Sequence, residues 1–208
     1  MMIFHKFVVA GGLLHFQGGF ILKTDKLIRV AALLLIMCLC TATVSAAGAV
    51  HEKDYEVLPD YGQMDTEMAI TTLLRREMKL NPAAICGILA NIEYESDFSP
   101  TAWGDGGTSY GLCQWHESRC RSLFSFCQKN GYDVDSVYGQ MKYLQYELEE
   151  NYPAVLEYLR QVEDSPNGAY QAAWYWCYYF EIPAQRDVQA VLRGNLAFEK
   201  YIMQNTGR

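Results

Sequence analysis

Three acids, Glu93, Glu95 and Asp97, fall within one short stretch, and a glycine-rich run carrying a fourth, Asp105, follows them. A carboxyl held protonated near neutral pH can act as a general acid, and one kept ionised beside it can act as a base. Burial, a neighbouring like charge and the negative end of a helix dipole all favour the protonated form. The surrounding residues supply such a helix end. Asn81 is a natural N-cap and Pro82 suits the first helical position. Ile85, Ile88, Leu89 and Ile92 recur at helical spacing and build one apolar face. Pro100 stops the helix soon after. The acids therefore belong to the last turn of a mostly buried helix. At about 100° per residue, Glu93 and Glu95 flank opposite sides of the Ile85/Ile92 face, so spacing does not choose between them.

The elements around this helix are helical as well. Asp65 is a plausible cap for a preceding helix marked by Met68, Leu73, Leu74 and Met78. Residues 97–115 hold Gly104, Gly106, Gly107 and Gly111 without periodicity and read as a long functional loop. Helices are expected near 117–130, 135–150, 152–163, 168–181 and 187–204, and no stretch shows strand alternation. The segment from Ala169 to Phe180 is apolar nearly all round, which suits a helix in the middle of a domain, although some of its rings could line a sugar groove. The expected fold is all-α, one helical domain over residues 65–208.

The first 46 residues read differently. Lys23, Lys26 and Arg29 precede the apolar run Val30–Cys40, and Val44-Ser45-Ala46 fits a small-residue cleavage site. This is expected to be a signal peptide, with an uncleaved membrane anchor as the rival, although the run falls short of the roughly 20 apolar residues that a span needs. Residues 47–64 read as a linker. The chain carries a net charge of −7; residues 1–46 hold Lys6, Lys23, Lys26 and Arg29 against Asp25, which leaves −10 on the remainder. That balance argues against a nucleic-acid partner. Export to the cell surface or medium would permit disulfides among Cys86, Cys113, Cys120, Cys127 and Cys177. Cys86, on the apolar helix, is expected to be a buried free thiol; the other four are enough for two bridges, but not Cys120 to Cys127 if one helix carries both.

A helix ending Glu95-Ser96, followed by Gly111-Leu112-Cys113-Gln114, resembles lysozyme-like muramidases and lytic transglycosylases. The narrower resemblance is to the phage tail-type lysozyme domain. It rests on Ala84–Asn91 running into Glu95-Ser96 and Pro100, on Tyr110-Gly111-Leu112-Cys113-Gln114-Trp115, and on Phe180-Glu181-Ile182-Pro183-Ala184. The resemblance implies a lysozyme-like fold and a peptidoglycan glycan strand as substrate. It implies that Glu95 is the catalytic acid and that Gln114, with Gly111, Tyr110 and Trp115, contacts substrate. Glu181 and Asp105 are the candidate second carboxylates, with Asp97 a third. Protonation of the bond between N-acetylmuramic acid and N-acetylglucosamine would then lead to hydrolysis, or to an anhydro ring by the transglycosylase route. No cofactor or metal is expected, and a monomer is. The rivals are a non-catalytic wall-binding module and a cysteine-type wall amidase or peptidase, for which His51 and His116 are the only histidines after residue 46. Cys113, His116 and Cys120 also suggest zinc, but no fourth ligand lies nearby.

Overall fold

The computed structural model describes residues 59–206. The expected signal or anchor segment and most of the expected linker lie outside the described residues. After a short 3-10 turn at Tyr61–Gln63 come helices α1 (Thr66–Arg76) and α2 (Pro82–Ser96). A three-stranded antiparallel sheet follows, with β1 (Trp103–Gly104), β2 (Ser109–Tyr110) and β3 (Trp115–His116) in that order. Then come α3 (Ser118–Asn130), α4 (Val137–Glu150), α5 (Pro153–Gln161) and α6 (Pro166–Trp176), a π-helical turn at Cys177–Glu181, and α7 (Arg186–Thr206). The domain is helical throughout apart from that small sheet. The expected loop is thus a minimal meander, pairing Trp103 with Tyr110 and Tyr110 with Trp115. Two-residue strands have no room for alternation, which is why the sequence showed none.

The capping chemistry is as local as expected at α2. Asn81 accepts a hydrogen bond from the Ala84 N–H at 2.9 Å, and Pro82 occupies the first turn. The helix is buried far beyond one face, from Ala83 to Ile92 without a break. The cause is that α6 and α7 cover it from other sides, and these three helices pack most extensively of all. Gly87 permits the approach to α6, since a Cβ there would lie 2.6 Å from the Ala172 Cβ and 2.7 Å from the Ala173 nitrogen. Helix α2 ends at Asp97, in the left-handed conformation at φ 50°.

The expected helix 168–181 is broken. Helix α6 stops at Trp176 and the next five residues widen into a π turn closed by Ile182 at φ 55°. A π turn rotates the residues after it relative to an α-helix and commonly marks a functional segment. Here Trp176, Cys177 and Phe180 face inward, fully buried, while Tyr179 stays exposed.

One buried ion pair ties the sheet to the helices. Glu147 on α4, 1 % exposed, takes Arg119 Nε at 2.8 Å and Nη2 at 3.0 Å in a two-pronged contact. Its carboxylate also accepts from the Trp115 indole at 2.8 Å and from Tyr143 Oη at 3.3 Å. Removing one partner of such a pair leaves the other charge buried and uncompensated. We expect Glu147→Gln to cost about 3 kcal/mol in a denaturant titration. Glu93→Gln, which loses a partly exposed pair with Lys200 but leaves that cation paired with Glu67, should cost under about 1 kcal/mol. Equal costs would show that the Glu147 pair is not a special anchor.

Candidate active site

The last turn of α2 carries the acids, and α7 meets both glutamates with cations. Glu93 Oε2 lies 2.6 Å from Lys200 Nζ, and Glu95 Oε1 lies 2.6 Å from Arg193 Nη1. The two pairs differ in setting. Arg193 is 4 % exposed, and the same Nη1 donates to Asn91 Oδ1 at 3.0 Å. The amide nitrogen of Asn91 donates to the carbonyls of Gly87 at 2.8 Å and Ala173 at 3.1 Å. Glu95 therefore hangs at the open end of a buried polar chain that joins α2, α6 and α7. Its side chain is 19 % exposed.

Glu181 is the second carboxyl. It ends the π turn, and its Oε1 accepts from the Trp176 indole at 2.8 Å. Burial pushes its carboxyl up to about 8, and the charge of Glu95 adds to the rise; Arg119, the Trp176 hydrogen bond and Arg193 oppose it. Glu95 thus sits close enough for its charge to be felt at Glu181, one carboxyl against a guanidinium and the other desolvated. The other candidate acids are engaged elsewhere. Asp105 accepts from Ser109 Oγ at 2.5 Å and lies 3.6 Å from His116 Nδ1, on an exposed turn. Asp97 caps α2 and is exposed.

The loop residues mostly position rather than present. Ser96, the residue after Glu95, donates from Oγ to the Leu112 carbonyl at 2.9 Å and so pins the helix end to the loop. Trp115 and Tyr110, expected at the substrate, are instead buried at 0 % and 3 %; Trp115 holds Glu147 and Tyr110 donates to Asp135. Gly111, at φ 77°, allows close approach, but to the side chain of Gln140, which a Cβ would meet at 2.5 Å. Gln140 is fully buried and fastens the loop by accepting from the Leu112 N–H and donating to the Pro100 and Val134 carbonyls. Gln114, half-buried at φ 42°, spends its amide donors on the Ala102 and Gly111 carbonyls at 3.1 and 3.0 Å. Its oxygen lies over Gly104, where a Cβ would come within 2.1 Å.

The cysteines are not poised as nucleophiles. All five among the described residues are free and buried, so the two bridges that the sequence permits do not form among them. Burial pushes the thiols of Cys86, Cys127 and Cys177 up to about 11 and that of Cys113 well above its ordinary range. A thiol of that kind is neutral and unreactive. Nor do Cys113 and His116 converge, since Cys113 is buried and His116 Nδ1 faces Ser109 at 3.0 Å and Thr108 at 3.2 Å from the exposed side.

Arg193, Arg119, Asn91 and Glu147 were not singled out from the sequence. Asn91, a polar residue amid the apolar positions of α2, was the one local sign. The raised carboxyl of Glu181 has a consequence for stability. Between its ordinary value of 4.5 and about 8, the folded state holds a proton that the unfolded chain releases. The contribution of this group to stability therefore falls as pH rises through that window. Glu181→Gln should melt with the wild type near about pH 4 and above it near about pH 8. Calorimetry at both values checks this, and a pH-independent difference in Tm would contradict it.

No curated relative matches the chain in sequence. The model of the phage tail lysozyme family matches residues 65–203, a span that runs from the cap of α1 into α7 and takes in the helix-end acids, the sheet and the π turn. The chain belongs to the phage tail lysozyme family, and its helical domain is a lysozyme-like domain.

Proposed function

We propose that this protein cuts the glycan strand of peptidoglycan between N-acetylmuramic acid and N-acetylglucosamine, with Glu95 as the general acid. Membership of the family supports a peptidoglycan-lytic, lysozyme-like function. The observation that carries the finer reading is the pair of unlike carboxyls at the end of α2. Glu95 is ion-paired with Arg193, while Glu181 is partly buried, lacks such a partner on its carboxyl among the described residues and is raised by desolvation. Two interacting carboxyls in unlike surroundings are a recognisable acid–base arrangement.

At rest Glu181 carries a proton, because desolvation raises its carboxyl. Entry of the sugar displaces water, and the proton passes to the glycosidic oxygen through Glu95. The C–O bond breaks as that oxygen takes the proton, and positive charge develops on the departing sugar ring, where the regenerated Glu95 carboxylate stabilises it. Water then adds to the ring carbon and returns its proton to the pair. Arg193 keeps Glu95 from drifting and steadies it as a carboxylate after each transfer.

One observation favours a second reading, the lytic transglycosylase route. A carboxyl that remains protonated cannot accept a proton from water, and Glu181 is raised. In that case the 6-hydroxyl of the muramic unit closes an anhydro ring, with Glu95 alone as acid and then base. Action on a cell wall also requires export, which the basic, apolar and small-residue order of residues 1–46 supports.

Digestion of purified sacculi tests the assignment. Glu95→Gln should lower the release of soluble fragments by about 100-fold or more, the scale of lost acid catalysis. Glu93→Gln should release them at nearly the wild-type rate. Equal solubilisation by wild type and Glu95→Gln would remove Glu95 from the mechanism. Mass spectrometry of the fragments separates the routes: reducing ends with activity lost in Glu181→Gln mean hydrolysis by the pair. Anhydro ends with activity kept in that variant mean the single-carboxylate route. In the first case the wild-type pH–rate profile also falls as pH rises past about 8, because deprotonation of Glu181 is what ends activity there.

A further inference from the structure

Helix α3 turns two kinds of side chain outward that the proposed chemistry does not use. Trp103, at the start of β1, is 60 % exposed, unusual for so large an aromatic. It lies 4.5 Å from the Tyr110 ring and is stacked 6.3 Å from Phe124 of α3, itself 37 % exposed. Trp103 and Phe124 border an open cavity of about 680 Å³ that also touches Thr108, Arg121 and one acid, Glu117, which lies beside His116. A second open cavity, about 750 Å³, continues from Arg121 along α3, past Ser122 and Ser125 to Lys129, with Phe126 and Tyr146 stacked at 5.0 Å on its far wall. Arg121 lines both cavities. Ser118, Arg121, Ser122, Ser125 and Lys129 follow helical spacing, so they form one stripe.

The charges on this stripe run against the chain as a whole, which is acidic. Arg121 and Lys129 are exposed and, among the described residues, neither is paired with a carboxylate. No acid lines the second cavity. Aromatic faces, hydroxyls and unpaired cations in one groove suit a sugar polymer that carries acidic groups. Aromatic faces take the apolar faces of pyranose rings, serine hydroxyls meet sugar hydroxyls, and cations meet carboxylates. In the chain Trp103 also adjoins Gly104, on which the Gln114 side chain rests.

We propose that the Trp103–Lys129 groove is a binding site for the uncut length of the glycan strand. Trp103 and Phe124 stack on its sugars, and Arg121 and Lys129 pair with the carboxylates of its lactyl-peptide substituents. This rests on peptidoglycan being the substrate, but not on Glu95 being the acid. It gives the enzyme a grip on a long strand that a fragment too short to reach Trp103 would not feel.

The test measures binding, separately from cutting, in full-length protein. Co-sedimentation with sacculi stripped of secondary polymers is compared for Glu95→Gln alone and for that variant with Trp103→Ala or Arg121→Glu added. Each addition is expected to weaken binding by about tenfold, and the Arg121→Glu effect should shrink at high salt. Arg160→Glu, the same charge change at an exposed position outside the groove, should leave binding unchanged. Uncharged strands of N-acetylglucosamine alone, which lack the lactyl group, should feel the Trp103 change and not the Arg121 change. Unchanged binding in both groove variants, or an equal loss in Arg160→Glu, overturns the proposal. So does binding that disappears on stripping and returns with added polyol phosphate, which would make the groove a teichoic-type polymer site. If instead Glu95→Gln still releases fragments while Trp103→Ala loses binding, the catalytic reading fails and the groove stands.

Discussion

The buried pair between Arg119 and Glu147 is the constraint on which the site depends. A carboxylate at 1 % exposure is costly unless charge and hydrogen bonds compensate it, and here they do so with groups from three elements. Arg119 comes from α3, Trp115 from β3 and Tyr143 from α4 itself. The guanidinium does more than neutralise. Its Nη1 donates to the Phe180 carbonyl at 3.2 Å and its plane lies 4.4 Å from the Phe180 ring. The residue after Phe180 is Glu181. The same cation that closes the sheet against α4 therefore also fixes the π turn that delivers the second carboxyl, and its charge tempers how far burial raises that carboxyl.

A second buried cation makes the two carboxyls unlike. Arg193 reaches Asn91 and Glu95 from α7, and its approach depends on small residues in the three-helix core. Gly87 lets α6 close on α2, and Gly194, next to Arg193, lets the Tyr170 ring of α6 lie where a Cβ would be 2.6 Å away. Had the α6 chain stayed α-helical through Glu181, that side chain would project from a different side of the helix, because a π turn holds about one more residue than an α turn. The π turn redirects it into the same neighbourhood as Glu95. Helix packing sets one acid against a guanidinium, and a helix irregularity buries the other.

Much of this was legible in the sequence, and what was missed has a physical reason. Asn81, Pro82 and the Ile85/Ile92 spacing announced α2 to within a residue, because capping and amphipathic spacing are local. The order of the helices was legible for the same reason. The sheet was not, since two-residue strands carry no period, and neither was the π turn, since an extra residue per turn leaves no mark in an all-apolar segment. Tyr110 and Trp115 were expected at the substrate because the block that carries them resembles the family's loop, and a resemblance in sequence does not say which of its side chains are turned inward. Trp103, the cross-strand partner of Tyr110, lies on the same face, 4.5 Å from the Tyr110 ring, and stays exposed itself. The cations Arg119 and Arg193 lie 28 and 98 residues from their glutamates, and no pattern within one element reports such a pairing.

Strain gathers where these networks meet. Asp97, Phe98, Gln114, Glu117 and Ile182 all have positive φ, and all flank the helix end, the sheet or the π turn. Ile182 is the sharpest case, because a β-branched residue is rarely left-handed. Each such residue costs roughly 1–3 kcal/mol and persists only where its surroundings over-determine it. The surroundings here are the Gln140 clamp on the loop, the Ser96 bond to Leu112 and the Arg119–Glu147 anchor. The buried acid of Glu181 adds a further cost that grows with pH. A core optimised for stability alone would relax these turns and replace that acid with an apolar side chain. Under the proposed function, their location at the helix end, the sheet and the π turn ties the strain to chemistry rather than to packing.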